Sequence, residues 1–371
     1  MQYQRVCALI KKDAIIQNFI NIKKLLPQGV KIMPVIKADG YGHGAVTFAK
    51  LLEKDADYFA VAIMEEAIEL RENGIETPIM LLGHTNPIYF KEAIENEIVV
   101  TILTYEDAKI MSHTASLMNK TAKIQIAVDT GMSRIGFPAN EKGADEAAKI
   151  ASLENICIEG VFTHFATADE KDGQFTNLQA ERFEEFKKLL ENRNVCVGIY
   201  HCANSGAIMQ HRNLSFDMMR AGIILYGLYP SDEVDKSVLK LEPVMELHSH
   251  IAYLKMVKKG DSISYGRTFV AEKDMKIATI PVGYADGYPR LLSNTGRIIV
   301  NGRYAPIVGR VCMDQFMADV TGIDVSVGDT AVLLGKCGDL CISAEEIASH
   351  AETINYEIVT SISKRVPRKL V

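Results

Sequence analysis

The sequence predicts an α/β protein with two parts: a parallel (β/α)8 barrel over residues 1–237 and a mainly β domain over residues 238–371. Three observations predict it. From residue 30 to about 228, eight short apolar runs alternate with amphipathic stretches; repeated βα units of this kind imply a parallel sheet, and eight in about 200 residues fit a closed barrel. After a polar, charged stretch at residues 231–240 (SDEVDKSVLK), the pattern turns to short Val- and Ile-rich runs separated by Gly or Asn-Gly turns. Polar residues able to do chemistry stand directly behind the apolar runs of the first part, where a parallel barrel gathers its function. A doubly wound open sheet is the alternative reading of the same alternation.

Taken in order, the apolar runs are residues 30–37, 58–62, 78–82, 98–103, 122–129, 156–164, 195–201 and 216–225. Helices are expected between them at 64–73, 105–119 and 178–192, the last reading LQAERFEEFKKLLEN with apolar residues three and four apart. In the second part, strands are expected at 251–257, 276–282, 297–300, 305–311, 315–320 and 330–334. One helix is expected at 343–351, where Ser343 is followed three residues later by Glu346.

Composition narrows the function. The 371 residues are 48% hydrophobic and 24% charged, ordinary for a globular chain of two domains. The net charge is −6 and no basic cluster exceeds the length of Lys364-Arg365. That argues against a nucleic acid or an anionic membrane as partner and for a small-molecule substrate. Seven cysteines (Cys7, Cys157, Cys196, Cys202, Cys312, Cys337 and Cys341) form no paired framework, which fits a reducing compartment. Cys337 and Cys341 lack the second close pair of a zinc site, so no metal is expected. Residues 1–10 are too polar and short for a signal peptide, no run approaches the ~20 apolar residues of a membrane span, and the expected location is cytoplasmic.

Residues 33–44 read MPVIKADGYGHG, an apolar run with Lys37 at its carboxyl end and then glycine at every second position. An apolar setting disfavours the ammonium form, so the pKa of Lys37 should fall and free a nucleophilic amine of the kind that forms Schiff bases. Gly40, Gly42 and Gly44 can take positive φ and let backbone approach a ligand, while Tyr41 offers a hydroxyl to a phosphate. Behind later runs come the DTGMSR stretch ending at Arg134, His164 in VFTHFA, His201 with Asn204-Ser205, and Arg220-Ala221-Gly222. Singly, each fits a core or loop role; gathered at one barrel rim they make a site.

These motifs resemble those of alanine racemases, a family of pyridoxal phosphate enzymes, along nearly the whole chain. The resemblance implies that Lys37 carries pyridoxal 5'-phosphate. It also implies that Tyr41, Ser205 of HCANSGA, the backbone amides of Gly222 and Ile223 in RAGIILYG, and Tyr356 of INYEI hold the phosphate, with His164 and Asn204 among the cofactor contacts. Arg134 of DTGMSRIGF would bind the substrate carboxylate, a role suited to the planar, bidentate guanidinium. Arg220 resembles the arginine that faces the pyridine nitrogen. Because a guanidinium keeps its protons, that nitrogen stays largely unprotonated and the cofactor is a weaker electron sink, which disfavours transamination.

Racemisation removes a proton from one face of Cα and returns one to the other, so two acid-base groups must flank it. The resemblance assigns them to Lys37 and, through SISYGRTF, to Tyr265. An ordinary tyrosine titrates near ~10, and the family places a histidine and the pyridine-facing arginine behind it to lower that value, here His164 and Arg220. GYADGYPR contains Tyr284, and GRVCMDQ contains Cys312, Met313 and Asp314; the family binds the substrate carboxylate through the amide at the Met313 position. In that family the residues matching Tyr265, Tyr284 and Met313 reach the other subunit's cofactor, so an obligate head-to-tail homodimer is implied.

Rival readings are a serine racemase of the same fold, a cofactor carrier without turnover, a decarboxylase, and a dinucleotide loop. Tyr356 favours a small substrate pocket, although size alone discriminates by only about 1–3 kcal/mol per group. A carrier needs no second base, the Arg134, Tyr265 and Met313 motifs follow the racemase rather than the decarboxylase pattern, and the glycines run G-x-G-x-G rather than G-x-G-x-x-G. One departure stands out. Many family members carry a modified lysine two residues before the DTGM aspartate, orienting the carboxylate-binding arginine; here that position is Ala127. If an anion takes its place beside Arg134, added chloride lowers KM for the amino acid. A KM independent of chloride removes the anion.

Overall fold

The computed structural model describes residues 5–371, which fall into two compact units. One comprises residues 16–40 and 45–241, the other residues 5–15, 41–44 and 242–371.

The first unit contains eight parallel strands: Lys31–Pro34, Phe59–Val61, Ile79–Leu81, Ile98–Ile102, Ala122–Asp129, Ile156–Phe162, Ile199–His201 and Met218–Ala221. The second to the seventh pair consecutively in one sheet, and the eighth pairs in parallel with the first. Backbone hydrogen bonds complete the ring. Ile36 N–H donates to Ala60 O at 2.9 Å, while Asp217 N–H donates to Tyr200 O at 2.9 Å and Arg220 N–H to Ala203 O at 3.0 Å. The parallel sheet therefore curls back on itself as the barrel the sequence predicts. Its strands read as unbroken apolar runs because both faces are covered; every residue of Phe59–Val61, Ile79–Leu81 and Ile98–Ile102 is buried.

The expected helices are present as Met64–Glu72, Tyr105–Leu117 and Gln174–Glu191. Thr104 Oγ1 caps the second by accepting Asp107 N–H at 3.0 Å. Further helices lie at Ala45–Leu52, Phe90–Glu95, Glu141–Ala151 and Ser205–Gln210; they are short, or, as in Glu141–Ala151, bury small residues (Gly143, Ala144 and Ala147) that a search for large apolar side chains passes over. The last apolar run, 216–225, is strand only over Met218–Ala221. Gly222 (φ −104, ψ −113) breaks its extended course, and Ile223–Tyr226 forms a 3₁₀ turn.

The second unit is mainly β, again as the sequence predicts. Its larger sheet has the order Arg303–Pro306, Arg297–Val300, Thr330–Cys337, Met245–His250, Val6–Ile10, Arg368–Leu370. Val6–Ile10 lies antiparallel to Met245–His250 and parallel to Arg368–Leu370. A three-stranded sheet of Tyr253–Val257, Met275–Ile280 and Phe316–Asp319 contributes to a small core of Val257, Ile263, Ala271, Met275, Ile277 and Val308. Two helices accompany the sheets. Ala344–His350 is capped by Ser343 Oγ, which accepts Glu346 N–H at 3.1 Å, and Asn355–Ser361 follows it. Among the described residues, no helix is long and apolar enough to cross a membrane.

Residues 41–44 pack within this second unit. Gly42 has φ +79, and a Cβ there would lie 2.2 Å from Val359 O on the Asn355–Ser361 helix. Its own carbonyl accepts Arg368 Nε–H at 2.9 Å. Gly29 has a similar φ of +84 but nothing within 4 Å of its would-be Cβ. Gly29→Ala should therefore cost only the left-handed backbone penalty of about 1–2 kcal/mol. Gly42→Ala should cost clearly more, read as a larger fall in the urea unfolding midpoint.

Candidate active site

Lys37 ends the first barrel strand's apolar run and opens an unusual turn. Ala38 (φ 53, ψ 49), Asp39 (φ 52, ψ 51), Gly40 (φ 59, ψ 47) and Tyr41 (φ 51) follow one another in the left-handed region. Three of them carry a Cβ, each at a penalty of roughly 1–2 kcal/mol, so the turn persists only because its surroundings hold it. Glu66 is the main holder. Its Oε1 accepts Ala38 N–H at 2.6 Å and its Oε2 accepts Ala62 N–H at 2.8 Å, while Asp39 Oδ1 accepts Ala45 N–H at 2.9 Å. The Lys37 amine is partly buried and has no hydrogen bond or ion pair among the described residues. Burial, then the Arg134 charge, lowers its pKa, with Glu66 opposing.

Arg220, on the eighth strand, is 2% exposed. Its Nη1 donates to His201 Nδ1 at 2.7 Å and His201 O at 3.3 Å; its Nη2 donates to Thr163 O and Cys202 O, both at 2.8 Å, and to His164 Nδ1 at 3.1 Å. The terminal nitrogens are thus engaged, and only Nε–H lacks an acceptor among the described residues. Phe162 lies beside the guanidinium, its ring centroid 5.6 Å from Cζ. Burial brings the Arg220 pKa down to about 10, still well above neutrality, so the group stays charged. Burial and then the Arg220 charge hold His164 well below the ordinary imidazole range, with Arg134 and Lys37 adding to the effect. His164 is therefore neutral at pH 7, and since its Nδ1 accepts from Arg220, its proton resides on Nε2.

The DTGMSR loop is shaped by its own aspartate: Asp129 Oδ1 accepts Gly131 N–H at 2.9 Å and Ser133 N–H at 3.0 Å. Arg134 is exposed, makes no hydrogen bond or ion pair among the described residues, and exerts its charge on Lys37, His164 and Arg220. Ala127 is buried. Gln179 steadies the rim, donating to His164 O at 3.0 Å and Thr130 Oγ1 at 3.1 Å. Asn204 Oδ1 accepts Ala207 N–H at 3.1 Å and so caps Ser205–Gln210. Ser205 Oγ accepts Gly222 N–H at 3.0 Å, which joins two of the expected phosphate groups and leaves the hydroxyl proton to donate. Ile223 opens the next turn, whose first N–H groups have no acceptor within it.

The second unit brings its own residues together. Tyr41 and Tyr356 have ring centroids 6.2 Å apart. Burial pushes the Tyr41 hydroxyl up to about 12, so it stays protonated and can donate. Tyr265, in the turn Tyr265–Arg267, is 72% exposed; the preceding Ser264 (φ 67) donates to Arg310 O at 2.8 Å. Tyr284 N–H donates to Cys312 O at 3.1 Å and Ala285 N–H to Met313 O at 3.0 Å. Gly283 permits this, because a Cβ there would lie 2.3 Å from both carbonyl oxygens. Cys312 Sγ is 3.5 Å from Ser264 Oγ, and Asp314 accepts Arg365 Nη2 at 2.6 Å. Tyr265, Tyr284, Cys312 and Met313 are therefore linked through Ser264 and Gly283, with Tyr284 and Met313 also exposed.

Sequence reasoning passed over Glu66, Gln179 and Thr163. Glu66 sits at the third position of its helix behind an apolar Ile63, so no Ser/Thr-x-x-Glu signature marked it. Gln179 and Thr163 lie among apolar neighbours and read as core.

The chain matches the family model "Alanine racemase, N-terminal domain" over residues 10–230 and "Alanine racemase, C-terminal domain" over residues 244–370. It is similar to alanine racemase 1 of Clostridium acetobutylicum, with 46% identity covering 98% of this chain and 94% of that protein. It is also similar to an alanine racemase of Clostridium perfringens, at 48% identity with the same coverage. Among solved structures, alanine racemase of Clostridium difficile 630 superposes with a TM-score of 0.96 at 43% identity, covering 100% of this chain and 97% of that one. The Bacillus anthracis alanine racemase with bound L-Ala-P gives 0.94 at 39% identity, covering 100% and 96%. The chain belongs to the alanine racemase family, pyridoxal phosphate-dependent isomerases, and its function is that of the family.

Proposed function

We propose that Lys37 and Tyr265 are the two acid-base groups with which the protein interconverts L- and D-alanine, supplying D-alanine for peptidoglycan. The observation that carries this reading is the Lys37 amine: partly buried, unpaired, lowered in pKa, and within the field of Arg134. Residues 1–237 would hold the cofactor and residues 238–371 would bring the second base.

The residues fit pyridoxal 5'-phosphate. Arg220 Nε–H is an unengaged donor on a guanidinium that keeps its charge, suited to a pyridine nitrogen. Tyr41 and Tyr356, Ser205 and the amide of Ile223 supply phosphate donors, while the Gly222 amide, given to Ser205 Oγ, turns that hydroxyl's proton toward the phosphate; His164 and Asn204 complete the cofactor contacts. When bound, the cofactor serves as the electron sink that acidifies the substrate's Cα–H. Lys37 takes or returns the proton on one face and Tyr265 on the other, while Arg134 and the Met313 amide fix the carboxylate and Tyr284 lines the substrate pocket. Cys312 and Asp314 support these groups from the same segment.

Exposure of Tyr265, Tyr284 and Met313 on one protomer supports the homodimer, in which they serve the partner subunit's Lys37. The cytoplasm is the proposed location. A serine racemase remains the nearest rival, and a side-by-side chiral assay decides: kcat/KM for L-alanine should exceed that for L-serine, and the reverse order would transfer the assignment to serine.

Borohydride reduction of the holoprotein followed by peptide mapping should place the cofactor on Lys37, and a label elsewhere would sink the assignment. Tyr265→Phe should slow exchange of the L-alanine Cα–H with solvent by about 10²–10⁴-fold, the usual worth of a general base, while the D-alanine Cα–H still exchanges. Lys37→Ala should show the reverse pattern, and each variant loses racemisation equally in both directions because the enantiomers have equal free energy. If either variant slows exchange of both enantiomers alike, the division of faces is wrong.

A further inference from the structure

Inside the barrel, a bond behind Arg220 carries information about proton placement. Gln125 lies on Ala122–Asp129, and its register partner on the neighbouring strand is Gly160. A Cβ on Gly160 would come within 3.0 Å of Gln125 Cδ, so the glycine makes room for the amide. Gln125 and His201 are both 0% exposed, and Gln125 Oε1 lies 2.6 Å from His201 Nε2. The imidazole stacks on Phe162, with centroids 5.2 Å apart and planes at 14°. Its other nitrogen, Nδ1, is 2.7 Å from Arg220 Nη1.

A guanidinium nitrogen only donates, so His201 Nδ1 must accept and carry no proton. The neutral ring then has its proton on Nε2, which requires an acceptor opposite: the amide oxygen of Gln125. The flipped amide fails. It would present N–H to Nε2, force the imidazole proton onto Nδ1, and set two donors against each other at the Arg220 contact. An imidazolium fails for the same reason. Gln125 Nε2 has no partner and is buried, so the amide's orientation is set by its bond to His201. Arg220 is the one charged group acting on the ring; Phe162 and Gln125 face it from the two other strands.

We propose that Gln125 and His201 are positioning residues for Arg220: Arg220 Nη1 sets His201 in the Nε2–H tautomer, and Gln125, by accepting that buried N–H, fixes the ring so that Nδ1 holds Nη1 in place and Arg220 Nε–H is left for the cofactor ring. The inference rests on the reading that Arg220 faces that ring. It also explains why position 125 is an amide. A glutamate could accept from Nε2–H, but its charge would favour the imidazolium and drive a proton onto Nδ1, against Arg220.

The test is long-range proton–nitrogen correlation NMR on protein labelled with ¹⁵N-histidine, with and without cofactor, from about pH 6 to 9. The His201 signals are assigned by their loss in His201→Asn. The expected wild-type pattern, already present without cofactor, is a bare Nδ1 and a protonated Nε2 that do not titrate. A protonated Nδ1, or titration across that range, overturns the proposal. Gln125→Glu should show both nitrogens protonated, and Gln125→Met the same Nε2–H tautomer with its proton signal moved upfield by loss of the acceptor; an unchanged pattern in Gln125→Glu, or an unmoved Nε2–H signal in Gln125→Met, overturns the role of the amide. If the variants do not fold, the wild-type spectrum decides alone. In the loaded enzyme, Gln125→Glu should lower kcat about 10–100-fold, the range typical of groups that orient a contacting ligand, with KM little changed and a larger share of turnover going to transamination. A loss carried by KM with kcat unchanged, or an unchanged transamination share, would overturn the link to the ring. Failure of the tautomer test refutes this inference, whereas a cofactor label away from Lys37 refutes the reading beneath it.

Discussion

A guanidinium buried without a carboxylate partner governs the barrel end of this protein. Removing the charge of Arg220 from water is costly unless hydrogen bonds replace the lost hydration. The replacements are the carbonyls of Thr163, His201 and Cys202 and two neutral imidazole nitrogens. Thr163 and Cys202 lie just past the ends of Ile156–Phe162 and Ile199–His201, so two neighbouring strands must stop in register around the eighth. A carboxylate in that place would have held the arginine more strongly. It would also have cancelled the positive field that reaches His164 and His201. Lysine could not substitute, because its point charge lacks the planar fork that addresses five acceptors and keeps a further N–H in reserve.

Lys37 answers to a different cation. Burial and the charge of Arg134 act on its amine, with Glu66 as the one carboxylate opposing them. Burial and like charge favour the neutral amine, and Glu66 limits how far that goes while fastening the backbone on either side of the site. The left-handed turn from Ala38 to Tyr41 is the structural counterpart. It is strained, and it is held by carboxylate-to-amide bonds of the charge-assisted kind. Net positive charge around a lysine suits ligands that bring a phosphate and a carboxylate. The protein as a whole carries −6, so the positive character is local.

How legible was this in the sequence? The barrel strands were, because strands covered on both faces read as bare apolar runs, and Lys37, Arg134, Tyr265 and Met313 stood in motifs specific enough to name a family. The failures have physical causes. The run through residues 216–225 kept its hydrophobicity after Gly222 had turned the chain, since a buried 3₁₀ turn is as apolar as a buried strand. Val6–Ile10 pairs with Met245–His250 and Arg368–Leu370, and no local pattern announces partners that far away. Gln125 was hidden in AKIQIAVD, where one amide among apolar residues reads as core. Its importance appears only when Gly160 and His201 are seen beside it.

The position of Tyr265 follows from a different requirement. A proton-transfer group at neutral pH works in a dry setting with fixed charges around it. On a single protomer, Tyr265 is 72% exposed and held only by the turn that Ser264 and Gly266 allow. On the dimeric reading, that exposure is a requirement rather than a defect, because a side chain that must enter another subunit cannot first be buried in its own. Rigidity then has to come from the backbone. The positive φ at Ser264, Gly266 and Arg267, and the bond from Ser264 to Arg310, hold the tyrosine's place before any partner arrives. Lys37 shows the complementary solution: a strained turn fixes a partly buried amine from within its own chain, and each proposed base is presented by backbone held in a sparsely populated conformation.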